Sequence, residues 1–324
     1  MWAQALIAPG RFELRELPEP RREDLREGEV IVRLIAGAIC GSDLPCFRGK
    51  LSQYPGDGAP GAANLPGFPL HEVVGEVVEG NGTDLPKGSH VVGWAVMSNG
   101  LAEFFVDMAE ALIPISLDSG VTPVQTTTIQ PVACVLNAVD RLPSVEGKWV
   151  AVIGQGPLGV LFSHVLKNMG AAKVTGVDEI DRSDVAKKFG IDEVVWSSSN
   201  RWVQQLSDSE RPDIVIEAVG HQVATLNDAV EAVAPAGYVY YFGIPDDPSY
   251  PFNFQKFMRK NLTLASGSTW DRRYWLEEGV KYVDSNPNLF TDYLTHTFST
   301  SDAQAAYQLA NVPAVARLKV GLIA

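Results

Sequence analysis

The sequence predicts a two-part α/β protein, a β-rich domain followed by a doubly wound parallel sheet. Three observations carry that expectation. Residues 1–120 are rich in Val, Gly and Pro and break into short apolar stretches between turns. From residue 121 onward, continuous apolar runs alternate with stretches of helical spacing, the signature of strand–helix–strand units. The chain has 324 residues, enough for two domains of about 150 residues each.

The elements follow in order. Residues 28–39 (GEVIVRLIAGAI), 71–80 (HEVVGEVVEG) and 87–96 (KGSHVVGWAV) are β-branched runs bounded by turn residues and predict strands of a small barrel or sandwich. Residues 51–67 hold Gly, Pro, Ala and Asn without periodicity and predict a long loop. TPVQTTTIQPVACVLNAVDRL predicts a helix or a helix pair. Residues 148–154 (KWVAVIG), 173–178 (KVTGVD), 213–220 (DIVIEAVG) and 237–245 (GYVYYFGIP) carry continuous apolar runs, as expected of strands buried on both faces. Helices are expected between them: PLGVLFSHVLKNMGA, with Gly170 placed to end it, and 183–190 (SDVAKKFG). The tail, WLEEGVKYVDSNP and SDAQAAYQLA, reads as helices returning to the first domain. There is no internal repeat and no low-complexity segment.

Composition narrows the function classes. Charged residues make up 20% and hydrophobic residues 46%, which suits a folded soluble chain. The net charge of −13 would repel phosphate backbones, so nucleic acid is not an expected partner. No uncharged apolar run reaches the ~18 residues of a membrane span, and MWAQALIAPGRFELRELPEP lacks the pattern of a secretory signal. Three cysteines, Cys40, Cys46 and Cys134, cannot all pair, which points to a reducing compartment, the cytoplasm.

The sharpest motif is Gly154-Gln155-Gly156-Pro157-Leu158-Gly159, a G-x-G-x-x-G between a buried strand and a helix. In such a loop the first Gly makes the turn, the second lets backbone approach a pyrophosphate, and the third lets helix pack on strand. The helix start then offers N–H groups to the phosphates. Asp178 ends the next strand, where a carboxylate accepts from the ribose hydroxyls and repels a 2′-phosphate, predicting NAD over NADP. Arg182 nearby pulls the other way.

Cys40-Gly41-Ser42-Asp43 follows one strand and His71-Glu72 opens another. Thiolate and imidazole suit Zn²⁺, and a catalytic zinc keeps three protein ligands and one open position. Taken singly, a Cys is most often a small buried hydrophobe and a His a structural residue. Together these segments resemble the medium-chain dehydrogenase/reductase family, in its zinc-dependent alcohol and polyol dehydrogenase branch. The resemblance runs through GEVIVRLIAGAICGSD, PLHEVVGEVVEG, KGSHVV, the glycine loop with Asp178, DIVIEAVG and YVYYFGIP. It implies a GroES-like catalytic domain over 1–122 and 267–324, with a Rossmann domain over 123–266. It implies zinc held by Cys40 and His71, with Glu72 able to approach or replace a ligand. Ser42 would contact the substrate hydroxyl and start the proton relay. In that family zinc polarises the alkoxide while hydride passes to the nicotinamide.

Departures from the pattern matter as much. The remaining ligand position falls on Gln130, whose amide oxygen is a weaker zinc ligand than thiolate or carboxylate. Cys134 stands one helical turn on and is expected in the core. Leu70 replaces the usual Gly before the His-Glu pair. Pro45 stands where many polyol dehydrogenases carry a relay His. The four-cysteine structural zinc lobe is missing, so no structural zinc is expected. Lys319, rather than Arg317, matches a basic residue that faces the cofactor pyrophosphate. His90, His164 and His296 read as structural, Trp94 as core or pocket wall, and Cys46 has no assigned role.

The leading expectation is therefore a zinc-dependent oxidoreductase moving hydride between NAD(H) and a secondary alcohol, polyol or sugar-like substrate. The alternatives are a zinc-free NAD(P)H-dependent reductase of the same fold and a non-catalytic nucleotide-binding paralogue. The resemblance also implies a homodimer or homotetramer, paired through an edge strand around residues 262–270.

Overall fold

The computed structural model describes residues 1–50, 66–117, 120–207 and 209–324. Most of the loop expected over 51–67 lies outside the described residues. The chain divides into two compact units, one of residues 1–133, 270–312 and 317–324, the other of residues 134–269 and 313–316. The boundaries fall at 133/134 and 269/270, where the sequence suggested 122/123 and 266/267.

The first unit opens with a hairpin, β1 (Trp2–Ala8) and β2 (Arg11–Glu16). β3 (Glu29–Ile39), with alternating and then continuous burial, runs into a short helix α1 (Asp43–Phe47). β4 (Glu72–Glu79), β5 (His90–Trp94), β6 (Phe104–Met108) and β7 (Leu112–Ile115) follow. Two helices come next, α2 (Pro123–Thr126), started by a capping box on Thr122 and Gln125, and α3 (Ile129–Val139), which crosses the unit boundary.

The second unit contains β8 (Trp149–Ile153), α4 (Pro157–Asn168), β9 (Lys173–Asp178), β10 (Glu193–Trp196), α5 (Ser199–Gln205), β11 (Ile214–Glu217), α6 (Ala224–Ala232), β12 (Tyr238–Tyr241), α7 (Phe254–Arg259) and β13 (Thr263–Ser266). The chain then returns to the first unit through α8 (Arg272–Ser285), α9 (Leu289–Asp292), β14 (Leu294–Ser299), α10 (Ala303–Ala310) and β15 (Lys319–Ile323).

The six strands of the second unit are all parallel, in the order β10-β9-β8-β11-β12-β13. The order reverses between β8 and β11, the switch point at which such sheets bind ligands beyond the strands' carboxyl ends. Burial follows position. Every residue of β11 is buried, whereas the edge strands β10 and β13 are half-exposed or exposed along their length. The core here packs Ile153, Val177, Val215 and Val239 against Trp202 and Ala229. This is the Rossmann-type sheet the apolar runs predict.

In the first unit, a mostly antiparallel sheet runs β14-β15-β3-β4-β5-β7, with β6 also on β3. That is the GroES-like part. Leu70 is fully buried in a core with Ile39, Phe47, Phe68 and Tyr307. A Cβ at Gly37 would come within 2.7 Å of the Leu70 side chain, so the bare glycine on β3 makes the room that the larger residue needs.

One expected helix is absent. Residues 183–190 form a run of turns, in which Val185 and Lys188 donate to carbonyls three residues back, Phe189 four and Ile191 five. The drifting spacing, started by the Asp181 side chain taking the Ser183 N–H, never settles into the i to i−4 ladder of a helix.

Candidate active site

Sheet geometry brings the metal-ligand candidates together. β3 ends at Ile39, so Cys40 sits at the strand's exit; Ala38 of β3 pairs with Glu72 of β4, which places the His71-Glu72 start of β4 beside it. One donor atom each from Cys40, His71 and Glu72 lies within 4.8 Å of the others. Among the described residues this is the one such group of His, Cys, Asp and Glu side chains. Cys46, whose thiol points to the Ser42 carbonyl at 3.9 Å, and Cys134 stand outside it.

Buried charges hold these side chains. Asp43 is fully buried; its Oδ2 accepts from the Cys40 N–H at 2.8 Å and its Oδ1 lies 2.7 Å from Nδ1 of His71. With the carboxylate accepting there, Nδ1 carries the hydrogen and Nε2 is the ring's free ligand position. Burial alone would make the His71 imidazole less basic. The Asp43 carboxylate, and next the Cys40 sulfur, outweigh it and hold the group well above its usual range. A proton here occupies the place a cation could take.

Glu72 is buried, and its Oε1 accepts from Lys319 Nζ at 2.5 Å. Lys319 is itself only 2% exposed; burial opposes its charge, but Glu72 outweighs burial and keeps the ammonium protonated. Lys319, matched in sequence to a cofactor-facing base, thus spends its charge on the donor cluster. Its partner's other oxygen, Glu72 Oε2, is buried and accepts no hydrogen bond among the described residues. An unsatisfied buried acceptor costs on the order of 1–3 kcal/mol, more when charged. A cation would satisfy it, and sulfur, imidazole and carboxylate are the donor types zinc takes. The residues fit the metal.

Ser42 is the N-cap of α1, half-buried, and its hydroxyl does not cap the helix. Gln130 is buried as the second residue of α3. Trp94 is directly opposite Glu72 in the β4–β5 pair. Pro45 lies buried inside α1. His90 is half-buried on β5, His164 takes an Asn168 amide contact at 3.3 Å, and His296 contacts Thr295.

The glycine loop in the second unit divides its labour as the motif predicts. Gly154 has φ +89°, and a Cβ there would sit 2.6 Å from Val219. A Cβ on Gly159 would sit 1.8 Å from the Gly154 carbonyl oxygen, so only glycine lets α4 start against β8. A Cβ on Gly156 would meet nothing within 4 Å. That open space, with Pro157 opening α4 and no side chain capping it, suits a phosphate group. Asp178 accepts from the Gln155 N–H at 2.6 Å and the Ile180 N–H at 2.8 Å, so it anchors the loop. The Gln155 side chain is fully buried and bonds Val152 and Ser163. Arg182 is buried and donates to the Ala314 carbonyl at 3.1 Å.

Sequence reading missed three features. Asp43 belonged to a quoted motif, yet its buried contact with His71 needed the fold. The Lys319–Glu72 pair joins residues 247 apart in sequence. His221, at φ +57°, pairs with Asp246 at 2.8 Å beyond the ends of β11 and β12, with no local signal.

Comparison with known proteins agrees with this architecture. Residues 26–113 match the alcohol dehydrogenase GroES-like domain, and residues 157–284 match the zinc-binding dehydrogenase family. The chain is 30% identical to the L-threonine 3-dehydrogenase of Pyrococcus abyssi over 70% of this chain and 72% of that protein. The chain belongs to the zinc-dependent medium-chain dehydrogenase/reductase family. It is an oxidoreductase of the alcohol dehydrogenase class. It is also 24% identical to the sorbitol dehydrogenase of Halalkalibacterium halodurans, over 92% of each. Among solved structures, the alcohol dehydrogenase TADH of Thermus sp. ATN1 superposes with a TM-score of 0.83 at 25% identity, covering both chains entirely.

Proposed function

We propose that this family member is a zinc-dependent, NAD-linked dehydrogenase of a secondary alcohol, polyol or sugar-like substrate. The observation that carries the reading is the convergence of Cys40, His71 and Glu72, with Glu72 Oε2 buried and unsatisfied. Those three side chains would hold one zinc, with Gln130 as a further, neutral donor. The bound metal would supply Lewis-acid polarisation of the substrate hydroxyl. With three cysteines in the chain, we infer no structural zinc.

The chain's own residues do the rest. Asp43 fixes the His71 ring and its tautomer. Lys319 offsets the charge of Glu72. Ser42, with its hydroxyl left out of the helix cap, would take the hydrogen bond of the substrate hydroxyl and pass its proton on. In the other unit, the Gly154–Gly159 backbone would seat the pyrophosphate and Asp178 the adenosine ribose. NAD is favoured because Asp178 repels a 2′-phosphate and Arg182 is committed to Ala314. We also infer a cytoplasmic homo-oligomer that pairs through β13.

The test is metal content and activity together. Protein purified without chelator is expected to carry one zinc per chain and to oxidise polyols with NAD. Cys40→Ala and His71→Ala should each lose the metal and at least ~10³-fold in rate, several kcal/mol of barrier at 1.36 kcal/mol per factor of ten. Zinc-free protein with NADPH-dependent reductase activity insensitive to chelators would replace this reading with the zinc-free one.

A further inference from the structure

An unused cation stands beside the donor cluster. Trp94 and Glu72 are directly opposed in the antiparallel β4–β5 pair, so their side chains leave the same face of the sheet, with Cβ atoms about 5 Å apart. Glu72 belongs to the cluster, which puts the Trp94 ring at its flank. Over that ring, 5.9 Å from its centroid, lies the guanidinium of Arg272, the first residue of α8.

Arg272 is half-buried, and among the described residues its guanidinium makes neither a hydrogen bond nor an ion pair. Its neighbour Arg273, by contrast, pairs with Asp84. In a chain whose 39 acidic residues outnumber its 26 basic ones, a part-sheltered arginine with no carboxylate partner is conspicuous. One acid that feels its charge, Asp107, is only 5% exposed and accepts from the Val96 and Met108 N–H groups. Burial pushes the Asp107 carboxyl up to about 7, so at neutral pH it is only partly charged and balances Arg272 incompletely. A guanidinium held over an aromatic face keeps its N–H edges free for a ligand. Those edges match a phosphate or carboxylate in bidentate fashion.

We propose that Arg272 recognises an anionic group on the substrate, which is accordingly a polyol carrying a phosphate monoester or a carboxylate. This rests on the reading of the Cys40, His71 and Glu72 cluster as the alcohol site. It assigns specificity to the end of the substrate remote from the reacting hydroxyl. The shared chemistry is the anion; the two sources are a sugar-alcohol phosphate and a sugar acid.

The probes are sorbitol, sorbitol 6-phosphate and gluconate. Each is titrated calorimetrically into the full-length protein with NAD present, and each is assayed for NAD reduction. One anion should bind at least tenfold more tightly than sorbitol and show a correspondingly higher kcat/KM. Preference for the phosphate identifies a phosphorylated polyol, and preference for gluconate a sugar acid. In Arg272→Met the ratio of anionic to neutral substrate should fall at least tenfold. Arg272→Lys, which keeps the charge without the fork, should retain part of the preference. That second variant guards against a folding defect, as does comparison of melting curves.

The proposal is overturned if neither anion binds more tightly than sorbitol, or if the preference survives in Arg272→Met. Anion binding that depends on Arg272, with no turnover of any probe, would leave this site standing and refute the dehydrogenase reading instead.

Discussion

The two candidate sites are built from opposite materials. In the first unit, chemistry depends on side chains: Cys40, His71 and Glu72, each steered by another buried charge. In the second, it depends on backbone: three glycines whose missing Cβ atoms make a turn, a cradle and a close helix–strand contact. A site of backbone tolerates most side-chain changes but no added atom at its glycines. A site of buried charges fails when any one partner is neutralised, because the remaining charge is left alone in a poorly polarisable surrounding.

Four experiments would break or sharpen this contrast. The largest effect is expected for Lys319→Met, which strands Glu72 in the core. The metal-free protein should lose about 3–5 kcal/mol of stability, read by denaturant unfolding. Added zinc should recover part of it if Glu72 faces the metal; an unchanged midpoint would show the pair to be dispensable. Next is Gly159→Ala, whose Cβ has no space. Overpacking of this kind costs about 1–3 kcal/mol, and dinucleotide titration should show weakened binding with zinc content unaltered. Wild-type affinity in that variant would contradict the backbone picture.

Asp43→Asn keeps the shape but removes the charge behind His71. Loss of such an outer partner typically costs ~10–100-fold in metal affinity or activity, to be read by competition with a zinc indicator. The smallest effect concerns Asp107. Its carboxyl is raised from 3.8 to about 7 by burial, so the folded chain holds a proton that the unfolded chain releases. Stability from this group is therefore full below the ordinary carboxylate range and falls as pH rises toward 7. The slope is at most about 1.4 kcal/mol per pH unit. Melting temperatures across that interval should decline less steeply in Asp107→Asn; identical slopes would exclude the assignment.

The same contrast explains what was legible in the sequence. The parallel sheet announced itself because strands buried on both faces must be continuously apolar, and the glycine loop because its function is its spacing. Cys40, His71 and Glu72 were visible as motif members, yet nothing local says that β3 and β4 pair so as to join them. The charge of Lys319 is legible, but its contact with Glu72 is not, since it is made only when β15 lies against β3. Arg272 was invisible: an arginine at a helix start usually faces water. The expected helix at 183–190 failed for a local reason, an aspartate that organises a turn before the helix can begin.

Asp178 would carry two duties at once. The carboxylate expected to select the dinucleotide by its adenosine ribose already grips the Gln155 amide between the first two glycines. Under the proposed function, coenzyme choice and loop shape would be mechanically coupled. Exchanging Asp178 to admit a 2′-phosphate would also slacken the phosphate cradle, so a switch of coenzyme in this scaffold calls for a compensating change at position 155 or 180, not a single substitution.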